Sequence, residues 1–233
     1  MYFYGIDPYF LMLVLPAFIF AMWAQANVKS TFNKYSRVPT GGRMTGADAA
    51  RAILNFNGLQ DVAVNMVDGR LSDHYDPRTR TVNLSRDVYS AATVAAVGVA
   101  AHECGHAIQH ANGYVPLRIR NAIIPATQIG SNLAMPLFFI GLIFSFPSLM
   151  YAGILLFATV TLFQLVTLPV EYNASSRAAN VLADSGMVSR EEETGVRRVL
   201  SAAALTYVAA LAVSLANLLR LLALAGGRRG GRN

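Results

Sequence analysis

The run from Asn121 to Val170 contains no Asp, Glu, Lys, Arg or His. Such a stretch must find an apolar solvent, and it is long enough for two helices of about 20 residues, the length that crosses a bilayer. Phe146-Pro147-Ser148 supplies the turn between them. The expected spans are Ile124 to Phe144 and Leu149 to Leu168. Composition agrees: the chain is 54% hydrophobic and 14% charged, against roughly a quarter charged in soluble domains. Mean hydropathy is +0.40, as expected of a membrane protein.

Two further spans flank this pair. Pro8 to Val28 carries no charge, and Trp23 near its end suits a membrane interface. Ala24-Gln25-Ala26 has the form of a signal-peptidase site, but a signal peptide begins with positive charge. Here Asp7 precedes the apolar run, and Lys29, Lys34, Arg37 and Arg43 follow it. An uncleaved anchor with its N-terminus outside is the expectation. Val199 to Leu219 is the fourth span, interrupted by Arg220 and continued by Leu221 to Ala225. The tail from Gly226 to Asn233 reads as disordered. Arg118 and Arg120 place the entry of the central pair on the cytoplasmic side. Four spans would put the basic tail outside, against the positive-inside tendency, which weighs early helices most.

The net charge of +6 belongs with these juxtamembrane cations. No nucleic-acid motif accompanies it, so a nucleic-acid partner is not expected. With one cysteine there is no internal disulfide.

Arg37 to Arg120 reads as a soluble domain. Thr45-Gly46-Ala47-Asp48 can cap a helix carrying Ala49, Ala50, Ile53 and Leu54, which Asn57-Gly58 ends. Val62, Val64 and Met66 alternate as in a strand. Asp68-Gly69 and Asp76-Pro77-Arg78 are turns, and Thr81 to Leu84 is a second strand. A helix opening at Ser85 or Ser90 should run to Ala111, where Asn112-Gly113 stops it. Ser189-Arg190-Glu191-Glu192 has the form of another capping box.

The long helix of this domain carries His102-Glu103-Cys104-Gly105-His106. Histidines four apart lie on one helix face, so two imidazoles can close on one metal ion with a glutamate beside them. A catalytic zinc site has three protein ligands and one open position. His110 lies about 6 Å further along the axis than His106, too far for a straight helix to join all three. Asn112 stands where a third histidine would fall in the extended histidine pattern. Glu171 is the better third ligand, because it is the one acidic residue between Glu103 and Asp184 and lies where an apolar span ends. The competing reading makes it an interfacial carboxylate paired with Arg177 or Arg118. With His102, His106 and Glu171 as metal ligands, Glu103 becomes the general base.

Other residues carry weaker signals. Asn173, Ser176 and Asp184 could orient ligands or satisfy helix ends. His74, lying before a strand, could stabilise an oxyanion as a second catalytic residue; the competing reading is a surface histidine in a turn. The strand Thr81 to Leu84 could offer its edge to an extended peptide. Cys104 reads as a small packing residue.

Several segments together resemble the YugP-type neutral zinc metallopeptidases, a family of bacterial membrane proteins. They are the N-terminal anchor, Leu71-Ser72-Asp73-His74-Tyr75-Asp76-Pro77, the stretch from Gly98 to His110, and Leu168-Pro169-Val170-Glu171-Tyr172-Asn173-Ala174-Ser175. The layout also resembles the heat-shock-type membrane zinc proteases, in which a glutamate after a membrane hairpin completes the site. Those relatives carry an aspartate four residues further on, where this chain has Ser175. The resemblance implies a mainly α fold: multi-pass membrane helices plus a zincin-like α+β domain with a small sheet and the motif helix. It also implies one zinc ion, proteolysis of protein or peptide substrates, and residence in the bacterial inner membrane with a cytoplasmic site.

The corresponding organisation is an anchor (1–28), a catalytic domain (29–120), a transmembrane hairpin (121–170), a helical segment completing the site (171–198), a fourth membrane helix (199–225) and a basic tail (226–233). The partners are the lipid bilayer and the substrate, with a homo-oligomer left open. The alternative function is a non-proteolytic metal-binding membrane protein acting in folding assistance or transport. Only Glu171 and Arg220 interrupt or border the apolar spans, which gives a charged conduction path little support.

Overall fold

The computed structural model describes residues 7–69 and 72–227. Leu71 of the His74 segment and the tail beyond Gly227 lie outside the described residues. A π-helical turn, Phe10–Val14, leads into α1 (Leu15–Tyr35). There follow α2 (Gly46–Phe56), β1 (Ala63–Val67), β2 (His74–Asp76), β3 (Thr81–Ser85), α3 (Arg86–Tyr89) and α4 (Val94–Ala111). Three long helices complete the chain: α5 (Val115–Ile143), α6 (Pro147–Asp184) and α7 (Arg190–Gly227). Among the described residues, four helices are long and apolar enough to cross a membrane: Phe10–Tyr35, Val115–Ile143, Pro147–Asp184 and Arg190–Gly226. All four extend past the uncharged runs that reveal them in the sequence, because a helix in progress gains a backbone hydrogen bond from each added residue.

The chain divides into two compact units. The first comprises Met1–Ala24, Arg118–Leu168 and Thr206–Asn233. Phe138, Met150, Ile154 and Leu221 are buried at its core. Arg220 does not break α7. Its Nε and Nη2 donate to Asp7 Oδ2 at 2.8 and 2.6 Å, and its guanidinium lies over the Phe10 ring. A buried cation in an apolar helix needs such a partner.

The second unit comprises Gln25–Leu117 and Pro169–Leu205. Its core joins Ile53 and Leu54 of α2, Val82 and Leu84 of β3, Val97 and Cys104 of α4, Leu182 of α6 and Val196 of α7. The expected Thr45 cap forms: Asp48 N donates to Thr45 Oγ1 at 3.1 Å and Thr45 N to Asp48 Oδ2 at 3.0 Å. The Ser189–Glu192 box closes likewise. The sheet order is β1-β3-β2, with β1 parallel and β2 antiparallel to β3.

Two expectations are corrected here. The segment from Ser85 to Ala111 holds two helices, α3 and α4, with α4 starting at its own cap, Thr93. The carbonyls of Ala91 and Ala92 accept from Gly46 N and Thr40 N, so that backbone ties down the loop before α2 instead of continuing a helix. The strand Thr81 to Leu84 is not an edge. It is the central strand, paired on both sides, and His74 stands on the edge strand β2 rather than in a turn.

Candidate metal centre

Helix α4 presents His102 and His106 on one face, and α6 brings Glu171 to them. His102 Nε2 lies 3.2 Å from Glu171 Oε2, and His106 Nε2 lies 3.5 Å from the same oxygen. One ligand atom from each residue falls within 4.8 Å of the others, a group that could hold a metal ion. Ligands about 2.0–2.2 Å from a tetrahedral zinc stand about 3.3–3.6 Å apart. The two nitrogen-to-oxygen separations match that spacing. The imidazoles meet edge to face with centroids 4.8 Å apart, and Glu171 is 2% exposed.

The close approach of α4 to α6 is set by Gly105. A Cβ there would collide with the Ala174 carbonyl oxygen. The other intervening residue, Cys104, is fully buried, with Sγ 3.6 Å from Ala50 O. Burial pushes its thiol well above the usual value, so it packs and does not react.

The outer nitrogens of both imidazoles are held. Gln109 Nε2 donates to Val170 O at 2.8 Å and to Asn173 Oδ1 at 3.0 Å. Its Oε1 must therefore face His106 Nδ1, at 3.0 Å. That makes Nδ1 the protonated nitrogen of His106 and leaves the Nε2 lone pair for a metal. His102 Nδ1 lies 3.1 Å from Ser175 Oγ, which turns its Nε2 to Glu171 in the same way. Burial works against charge on His106, but the Glu171 and Glu103 carboxylates outweigh it and hold the imidazole above its ordinary pKa.

Glu103 is 8% exposed. Its Oε2 accepts from Tyr75 N at 3.0 Å, so the Tyr75 amide points away from β3 and towards α4. The unpaired edge of β2 therefore runs beside the Glu103 carboxylate. Tyr75 also reaches His110, with Oη 2.9 Å from Nδ1. His110 thus supports β2 and is not among the converging ligands. His74 is exposed, with Nδ1 2.7 Å from Ser72 O and Nε2 3.1 Å from Asn83 Nδ2.

Of the residues expected to orient ligands, Asn173 enters through Gln109 and also accepts from Arg177 Nε at 2.8 Å. Ser176 neighbours Ser175 along a small cavity. Asp184 is an exposed residue at the end of α6. Gln109 and Ser175 do contact the imidazoles: Gln109 from three residues along α4, with an orientation set by Val170 O and Asn173 Oδ1 on α6, and Ser175 across from α6, at the position where the heat-shock-type relatives carry an aspartate.

The fold and site thus define a multi-helix chain with membrane-length apolar helices and a cluster of two histidines and one carboxylate that could hold a metal ion. Residues 10–226 match the family described as "Putative neutral zinc metallopeptidase", and the chain belongs to that family. It is 49% identical over 211 residues to a protein of Bacillus subtilis (strain 168) described as "Putative membrane protease YugP", covering 91% of this chain and 94% of the relative. No solved structure matches the chain.

Proposed function

We propose that this chain is a multi-pass membrane zinc endopeptidase that hydrolyses peptide bonds at the site formed by His102, His106 and Glu171. The observation that carries the reading is the convergence of two Nε2 atoms and one carboxylate oxygen at ligand spacing, with Glu103 beside them. A bound zinc ion lowers the pKa of water and polarises a carbonyl. His102, His106 and Glu171 would hold the ion; the Gln109 contact keeps His106 in the tautomer that could bind it, and the Ser175 hydroxyl orients the His102 ring. Glu103, steadied by the Tyr75 amide, takes the proton from the attacking water and delivers it to the leaving amine.

An extended substrate adds along the outer edge of β2, a mode of peptide recognition that uses backbone hydrogen bonds. His74, at the start of that strand, serves the developing oxyanion through Nε2 once that nitrogen carries a proton in place of accepting from Asn83 Nδ2. Residues 29–120 and 171–198 form a zincin-like catalytic domain, and 1–28, 121–170 and 199–225 supply the membrane helices. Lys29, Lys34, Arg37, Arg118 and Arg120 flank the spans and favour a cytoplasmic site. Membrane and membrane-proximal proteins are then the substrates it meets first.

The test is zinc content and cleavage of casein or a membrane substrate by wild type and Glu103→Gln. The variant should keep stoichiometric zinc and lose about 10²–10⁴-fold in rate. Cleavage by the Gln variant at the wild-type rate would sink the role of Glu103. A wild type active without zinc would sink the metal reading.

A further inference from the structure

Two helices change character at matching places. Helix α1 acquires Lys29 and Lys34 directly after its uncharged run, with Arg37 just past its end, and α7 carries Arg197 and Arg198 directly before Val199 to Leu219. The fold brings these boundaries together. A cavity of about 520 Å³ lies between them, lined by Thr31, Lys34 and Tyr35 from α1 and by Thr194, Arg197 and Arg198 from α7. Ala202 and Leu205 continue its wall into the apolar part of α7. A second cavity on α1, about 600 Å³, shares Lys34 and adds Lys29 and Arg37.

The pocket is built rather than incidental. A Cβ at Gly195 would stand 2.8 Å from Tyr35 Cε1, so glycine is what lets α7 close on α1. Arg198 Nη1 donates to Tyr35 Oη at 3.3 Å, which turns the guanidinium towards the cavity. Arg197 is braced by Glu193 at 2.7 Å and by Asn180 at 3.3 Å. Among the described residues no ion pair engages Lys34 or Arg198. Lys34 and Arg198, two cations from different helices without an ion-pair partner among the described residues, repel one another unless an anion joins them.

We infer that this α1–α7 pocket binds the phosphate of an anionic phospholipid headgroup. Lys34 and Arg198 contact the phosphate oxygens, Thr31 and Thr194 offer hydroxyls, and the Ala202–Leu205 wall meets the start of the acyl chains. The apolar wall and the shared charge boundary favour a lipid over free phosphate, because basic pockets between membrane helices suit such headgroups. The inference is independent of the metal centre.

The experiment uses full-length protein in a neutral detergent. Native mass spectrometry measures binding of phosphatidylglycerol and phosphatidylcholine to wild type, Lys34→Gln, Arg198→Gln and Arg198→Lys. Arg78→Gln, on the exposed turn before β3, controls for net charge. Wild type should prefer phosphatidylglycerol, and Lys34→Gln and Arg198→Gln should each weaken it about fivefold. Arg198→Lys and Arg78→Gln should retain binding, with melting temperature and zinc content unchanged throughout. Equal binding of the two lipids, or equal loss in Arg78→Gln, would overturn the inference. Displacement of phosphatidylglycerol by equimolar inorganic phosphate would assign the pocket to the free anion and overturn the lipid.

Discussion

His106 Nδ1 and Gln109 Oε1 lie 3.0 Å apart on α4, and the same Gln109 amide donates to Val170 O and Asn173 Oδ1 on α6. One buried side chain therefore orients an imidazole and locks the helix that carries Glu171. Gln109→Ala should lower zinc affinity about 10–100-fold, the usual cost of losing a group behind a metal-bound histidine. Competition with a chromophoric chelator measures it. Unchanged affinity would show that α4 orients His106 without help.

At Gly105 the α4 backbone closes on the α6 backbone at Ala174. Adding one methyl forces the helices apart against the Ala174 carbonyl. Gly105→Ala should cost about 1–3 kcal/mol, the range for overpacking a filled core, and should weaken zinc binding in the same protein. Thermal unfolding in detergent with and without zinc reads both. A variant that melts and binds zinc as wild type does would mean the two helices slide freely.

Cys104 is sealed against α2, and burial holds its thiol protonated. The folded protein should resist maleimide at neutral pH and react fully once denatured. Since the folded pKa is raised, the thiol's contribution to stability is complete below its ordinary value near 9.0. It is lost as pH rises beyond that value, because only the unfolded chain then ionises. Rapid labelling of the native protein would show that α4 opens.

His74→Ala should lower kcat by about 10²–10³-fold, the cost of removing one oxyanion donor. KM and zinc content should hold. A change confined to KM would make His74 a substrate-binding residue on the β2 edge.

Several parts of this structure can be read directly from residue types. Missing charges from Asn121 to Val170 mark the apolar helices, because an ionisable group is costly in lipid. Thr45 and Asp48 mark the start of α2, because capping is a local exchange of hydrogen bonds. Asn112-Gly113 marks the end of α4 for the same kind of reason. What could not be read depends on distant partners. His74-Tyr75-Asp76 has no alternation of its own and becomes a strand only against Thr81 to Asn83. The gap between α3 and α4 exists because Ala91 and Ala92 serve the loop before α2. The place of β3 at the centre of the sheet follows from β2, so missing one hid the other. Ser175 gains its role from a contact across to another helix, and Gln109 from the α6 acceptors that turn its carbonyl back onto His106.

Written as a pattern, His-Glu-x-x-His leaves two letters open to any residue. Chemistry has no use for them, and a search by motif ignores them. In this molecule they are the most confined of the five. Cys104 has Ala50 directly above it, and Gly105 has the Ala174 carbonyl where a side chain would begin. A saturation library over the pentapeptide should therefore find no tolerant column, and the wildcards should be lost through misfolding while the named letters are lost through silence.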